Sequence, residues 1–267
     1  MVFVIKLKML NANKLFIFKY TYIIMRLLTE MTDFNETIKI ASELSGIYDK
    51  QVIFHCYWNG ILNEKHLYSI RSCYYFNVLN NKHKIFLWLE NNISNDINKE
   101  ISKYCEIKFF SLKNEIKGSW LENRNIVYIG GWTEKSNFYR MLFLYKYGGC
   151  WFDLDCLFLR SFDPLFINYE KEVCIYQWAT KNYPNNAILI SLEAKSQIMK
   201  NNINMILNRR KGWGFQRAEL TIDIKGLNML VLPCSWFDGA WINNPYFDYK
   251  ERKGFHFFLK HLIKIII

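Results

Sequence analysis

Proline is scarce in this chain, with 4 residues among 267, and glycine is held to 12. No Gly-, Ser- or Pro-rich stretch is long enough to serve as an inter-domain linker, and no segment repeats. A single domain over residues 33–267 is therefore expected, behind an N-terminal extension over residues 1–32. Cysteine pairs at metal-ligand spacing are also lacking. The seven cysteines (Cys56, Cys73, Cys105, Cys150, Cys156, Cys174, Cys234) are odd in number and contain no CxxC. That excludes a zinc ribbon and a regular disulfide framework, and it favours a reducing, cytoplasmic setting over a Golgi- or ER-type one. Long uncharged apolar runs are missing too. Residues 2–10 and 15–28 are apolar, but Lys6, Lys8, Lys14, Lys19 and Arg26 interrupt them. A membrane-spanning helix needs about 20 nearly uncharged residues, and a signal peptide needs a clean apolar stretch ending in small residues. Neither pattern is met. The segment reads as an upstream extension, with weak peripheral attachment to a membrane as the alternative. No P-loop, GxSxG or HExxH motif occurs, which removes the chemistries that those spacings serve.

What the chain does hold is apolar and aromatic: 51% of residues are hydrophobic, with 21 Phe, 17 Tyr and 9 Trp. This is ample for a packed core. The formal charge is +11, from 35 basic and 24 acidic residues. The basic residues are spread along the chain, with only short clusters at Arg209–Lys211 and Lys250–Lys253. A nucleic-acid partner is therefore not expected, although a positive field suits an anionic small molecule.

Hydrophobic runs alternate with helical periodicity. Residues 51–58 (QVIFHCYW) and 84–89 (KIFLWL) read as strands buried on both faces, and residues 107–111 and 126–129 as extended. Residues 36–45, 63–79 and 97–104 read as helices, and Asn59-Gly60 as a turn. Strand and helix in alternation predict an α/β fold: a Rossmann-like, mostly parallel mixed sheet with flanking helices. Ligands in such folds gather beyond the carboxyl ends of the strands.

The densest information lies in residues 132–165. Thr133 is the expected N-cap of a helix, with Glu134 in its first turn. Phe138, Met141, Leu142 and Tyr145 follow helical spacing and predict one apolar face, with Asn137 and Arg140 on the neighbouring one. Gly148-Gly149 supplies the stop. A strand is then expected over residues 150–158. Its alternation sends Cys150, Phe152, Leu154 and Cys156 to one side and Trp151, Asp153 and Asp155 to the other. Two carboxylates on an apolar strand are costly unless a cation neutralises them. Mn²⁺ or Mg²⁺ is the expected partner, since hard cations take oxygen ligands and share their shell with substrate phosphates.

This segment resembles the sugar-binding DxD region of the GT-A glycosyltransferases. The match is closest to family 32, with the fungal initiating α-1,6-mannosyltransferases, the α-1,4-galactosyltransferases and the glucosylating clostridial toxins. The residues that carry it are Ser136, Asn137, Arg140, Leu144, Gly148, Gly149, Trp151, Asp153 and Asp155. The run Phe54 to Gly60 resembles the family's first strand, Asn185-Asn186-Ala187 its N-N-A stretch, and Val231 to Phe237 a late L-P element. The segment around His256 weakly resembles the closing piece of the family pattern.

The resemblance implies transfer of a sugar from a nucleotide-sugar donor, a UDP-sugar by preference, to a glycan, protein or lipid acceptor, with retention at the anomeric carbon. It implies that Asp155, Asp153 and His256 serve the metal. Trp58 and Tyr57 would receive the base, and Asn137, Arg140, Asp153 and Asn186 would hold the donor. Asp153, Asp155 and Arg140 would form the catalytic set. Asn137 stands where the family has an acidic residue, so a weak or inactive relative that binds a glycan or nucleic acid is the alternative. A phosphoryl-transfer enzyme would need further carboxylates near the pair. Of the histidines, His55 reads as a core residue with a satisfied ring, while His66, His83 and His261 read as surface or helix-face residues. Trp213 reads as a loop residue that could stack on an acceptor, and Asp223 and Asp238 as acceptor-side or loop residues.

Overall fold

The structure is a computed structural model that describes residues 43–79, 82–91, 96–126, 131–168, 173–177, 184–208, 229–232, 236–237 and 258–260. The two apolar runs become neighbouring parallel strands, β1 (Ile53–Trp58) and β2 (Lys84–Leu89), with Phe54 opposite Ile85 and Trp58 opposite Leu89. Helix α1 (Glu64–Asn77) crosses between them, as a parallel connection requires. β3 (Glu106–Phe109) extends the parallel set outward from β2. Short helices α2 (Asp96–Ile101) and α3 (Leu112–Ile116) flank β3 in sequence.

The long helix α4 (Trp132–Tyr147) returns the chain to β4 (Gly149–Phe152), which lies parallel to β1 on its other side. Beyond β4 come β6 (Val173–Gln177), β7 (Pro184–Ser191) and β8 (Met229–Leu232). β7 is inserted antiparallel between β4 and β6, and β8 pairs parallel with β6. Among the described residues the sheet has seven strands in the order β3-β2-β1-β4-β7-β6-β8. It is the mostly parallel mixed sheet that the alternation predicts. A two-stranded antiparallel ribbon pairs β5 (Cys156–Phe158) with β9 (Phe258–Lys260). Helices α5 (Asp163–Asn168) and α6 (Gln197–Asn208) complete the described elements.

Each face of the sheet has its own core. One holds Phe54, Cys56, Ile70, Leu87, Cys150, Phe152 and Phe158; the other holds Tyr57, Trp88, Phe138, Phe143, Trp151 and Leu189. Alternation along residues 150–156 is as expected, because Leu154 and Cys156 join Cys150 and Phe152 in the first core while Trp151 enters the second. The expected strand is not continuous, however. β4 ends at Phe152, residues 154 and 155 form a turn, and β5 begins at Cys156. The Asp153 amide still donates to the Ala187 carbonyl at 2.9 Å. Beyond that bond the chain leaves the sheet, which spares two carboxylates from burial in a central strand.

Three further expectations are corrected. The N-cap of α4 is Gly131, whose extended backbone (φ −71, ψ 173) accepts from the Lys135 amide; Thr133 lies inside the first turn. The helix is also not amphipathic, because all residues from Phe138 to Leu144 are buried. It is enclosed between the sheet and α6, which demands apolar residues all round. His83 is buried rather than at the surface, and His66, a helix-face residue as expected, lies on the buried face of α1. His83 accepts from the Val52 amide through Nδ1 at 3.1 Å and donates through Nε2 to Asp163 at 2.6 Å, tying β2 to α5. The expected helix over 36–45, except its end, and the expected strand over 126–129, except Ile126, lie outside the described residues. So do residues 1–32, Trp213, Asp223, Asp238, His256 and His261.

Candidate active site

A cavity of about 500 Å³ opens at the carboxyl ends of β1 and β4. The end of β1 contributes Tyr57, Trp58 and Asn59, and the start of α1 contributes Lys65 and His66. Opposite them are Trp132, Thr133, Ser136 and Arg140 from α4, with Asp153, Leu154 and Asp155 from the turn after β4. The placement follows from topology. Two adjacent parallel strands end here, and the helix N-termini that follow or precede them converge on the same opening.

Arg140 is the connector. Only 3% exposed, it donates through Nη2 to Asp153 Oδ1 at 2.8 Å and to Ser136 Oγ at 3.4 Å, and through Nη1 to the Asn186 carbonyl. Its guanidinium lies over the Trp151 ring at 5.1 Å. Trp151 Nε1 also donates to Asp153 Oδ1, at 2.9 Å, so one oxygen of that carboxylate receives two donors. Burial pulls the Arg140 guanidinium down from its ordinary range; the charges of Asp153 and Asp155 oppose this. An arginine in that balance keeps its proton. Asp155 is half-buried, lines the cavity and receives the Cys156 thiol at 3.5 Å.

The other sequence-derived residues divide into two groups. Trp58 lines the cavity, with its Nε1 anchored on the Ile61 carbonyl at 3.2 Å. Tyr57 also lines it, but its hydroxyl donates to Glu90 at 3.1 Å. Asn137 and Asn186 pair with each other, Asn186 Nδ2 donating to Asn137 Oδ1 at 3.1 Å, and neither lines the cavity.

Sequence reasoning missed Glu90, which sits one residue past β2 and gathers Tyr57, Asn59 Nδ2 at 3.1 Å and Lys135 Nζ at 3.2 Å. Burial pushes the Glu90 carboxyl up, but hydrogen bonds from Tyr139, Lys135 and Tyr57 outweigh it and hold the acid below its ordinary value. Burial pushes the Tyr57 hydroxyl well above its usual range. The available signal was position: Glu90 directly follows a buried parallel strand. Lys65, His66 and Trp132, the last 65% exposed at the cavity, carry no motif and were also missed as site residues.

The family described as "glycosyltransferase sugar-binding region containing DXD motif" matches residues 8–172. No curated protein sequence matches the chain. Among solved structures, the apo form of the glycosyltransferase GlyE from Streptococcus pneumoniae TIGR4 is similar at 12% identity and a TM-score of 0.50, over 80% of this chain and 55% of that one. Mouse xyloside xylosyltransferase 1 gives 13% identity and a TM-score of 0.48, over 79% of this chain and 97% of that one. The PaToxG glycosyltransferase gives 14% and 0.44, over 71% of each chain. At such identities the likeness is one of fold.

Proposed function

Because the chain belongs to the glycosyltransferases whose sugar-binding region contains a DXD motif, we propose that it moves a sugar from a UDP-sugar donor to a glycan, protein or lipid acceptor. On this reading the reaction retains the anomeric configuration, as in the family 32 enzymes that the DxD segment resembles. The observation that carries this reading is the turn holding Asp153 and Asp155 at the ends of β1 and β4, in one cavity with Arg140 and Trp58.

The carboxylates fit a divalent cation of the hard type. No cluster of three or more His, Cys, Asp or Glu side chains poised for a metal occurs among the described residues. Mg²⁺ and Mn²⁺ do not need one, since they are commonly held by one or two carboxylates while substrate phosphates and water complete the shell. Asp155 would be the direct ligand, and Asp153, already committed to Arg140 and Trp151, would act at the ribose or through water. The cation, when bound, supplies charge that offsets the departing diphosphate. Arg140 aims Asp153 and fixes the Asn186 carbonyl. Trp58 offers its ring to the base. Asn137 and Asn186, bonded to each other beside the cavity, would reach the donor sugar only by exchanging that bond for one to a sugar hydroxyl.

The test is release of UDP from a panel of nucleotide sugars with Mn²⁺. Turnover should vanish on chelation and fall about 100-fold or more in Asp155→Asn, the scale of losing one preorganised electrostatic contact. Equal turnover by Asp155→Asn would sink the assignment. One observation favours the binder reading: Asn137 is tied to Asn186 rather than open to the cavity. Nucleotide binding without any donor breakdown would support that alternative.

A further inference from the structure

The start of α1 carries an unusual capping arrangement. Asn63 has the extended backbone of an N-cap (φ −138, ψ 179), and its amide donates to His66 Nδ1 at 3.0 Å. Histidine therefore occupies the place that Glu or Gln fills in a capping box. With Nδ1 fixed as an acceptor, the neutral ring must carry its proton on Nε2. That Nε2–H is buried and has no hydrogen-bond partner among the described residues. His66 is fully buried, yet it lines the same cavity as Asp153 and Asp155. Its ring packs on Trp58, centroid to centroid at 4.0 Å, and Lys65 Nζ lies 5.7 Å from the Trp58 ring.

The direction of α1 explains the proximity. Ser72 Oγ accepts from the Phe158 amide at 3.0 Å and Asn77 Oδ1 from the Phe162 amide at 2.8 Å. The helix thus runs in the same direction as residues 158–162, and its N-terminus lies toward the Asp155 turn. A buried donor without an acceptor is costly to keep, and structures that retain one commonly use it. Burial, and then the charge of Lys65, hold the imidazole down to about 4, so the ring offers a neutral N–H at ordinary pH. A neutral donor beside an aromatic ring and a helix N-terminus selects an acceptor oxygen: a base carbonyl or a phosphate oxygen.

We propose that His66 is a nucleotide-binding residue whose Nε2–H donates to an acceptor oxygen of the bound donor, and that the capping bond from Asn63 sets the tautomer that makes this possible. The inference rests on the nucleotide-sugar reading of the cavity.

The experiment uses the full chain labelled with ¹⁵N-histidine, in the presence of Mg²⁺, and follows the His66 Nε2–H signal, assigned by correlation within the ring to Nδ1, which accepts from the Asn63 amide. Saturating UDP should move this signal downfield. Pyrophosphate alone reproducing the shift identifies a phosphate oxygen, and uridine alone reproducing it identifies the nucleoside. In calorimetry, His66→Asn keeps an acceptor where Nδ1 stands but loses the Nε2 donor. It should bind UDP about tenfold more weakly, the scale of one hydrogen bond. Should His66→Asn fail to fold, His66→Gln preserves the capping acceptor, and the signal of the wild-type chain carries the test unaided. A signal that does not move under saturating UDP overturns the proposal. Wild-type affinity in His66→Asn overturns it as well. A wild-type chain that binds no nucleotide overturns both this inference and the donor-site reading, whereas binding with a silent His66 removes only the former.

Discussion

Arg140 donates to Ser136, to Asp153 and to the Asn186 carbonyl, so one buried side chain joins α4, the turn after β4 and strand β7. Removing it takes the counter-charge from Asp153, which keeps the Trp151 donor, and strands the Asn186 carbonyl. Breaking a buried pair from one side costs about 3–5 kcal/mol, far more than an exposed ion pair is worth. Arg140→Met should therefore lower the urea midpoint by an amount equivalent to about 3 kcal/mol, and Arg140→Lys should recover only part, since an ammonium cannot serve several acceptors in one plane. At this scale Arg140, Asp153 and Asp155 were legible because they lie close together in sequence, on one helix and the turn just past the strand that follows it. Glu90 and His66 were not. Their partners lie on other elements, and no local pattern marks a side chain whose meaning comes from a distant one.

The junction between α4 and β4 turns on Gly148 and Gly149, at φ +67 and +110. A stop was readable in the sequence from the pair. The tight fit was not, because it involves backbone from elsewhere. A Cβ on Gly148 would collide with the Leu192 carbonyl, and one on Gly149 with the Ile53 carbonyl of β1. Neither obstacle is a flexible side-chain tip. Gly149→Ala should thus cost about 2 kcal/mol or more, beyond the usual penalty for Ala at positive φ, as read by chemical denaturation. The break between β4 and β5 escaped prediction for a related reason. Alternation continues through residues 150–156, whereas the chain leaves β7 after the Asp153 amide bond although β7 itself runs on to Pro184.

For the molecule as a whole, His55 is a pH-sensitive joint. Its Nε2–H donates to the Gly148 carbonyl at 2.9 Å and its Nδ1 accepts from Trp88 Nε1 at 3.0 Å, so the neutral ring is satisfied on both sides. Burial depresses its pKa to about 4, with the Gly148 bond opposing the shift. The unfolded chain takes up a proton near 6.5 and the folded one only near 4, so stability is highest above pH 6.5 and declines as pH falls through that window. Full burial sets the decline on the order of 3 kcal/mol. Urea midpoints measured from pH 7 to pH 4 should fall accordingly, and His55→Phe should flatten the slope. The sheet itself was legible because buried parallel strands are unbroken apolar runs. The antiparallel insertion of β7 and the pairing of β5 with β9 were not, since pairing direction leaves no mark in either strand alone.

β4 bonds on one side to β1, far upstream, and on the other to β7, downstream of β6. Contacts between residues so remote in sequence close late and slowly during folding, because loop-closure entropy must be overcome before they form. The carboxylate turn thus depends on contacts remote in sequence, and a chain emerging from the ribosome cannot close both flanks of its central strand until β7 has been made.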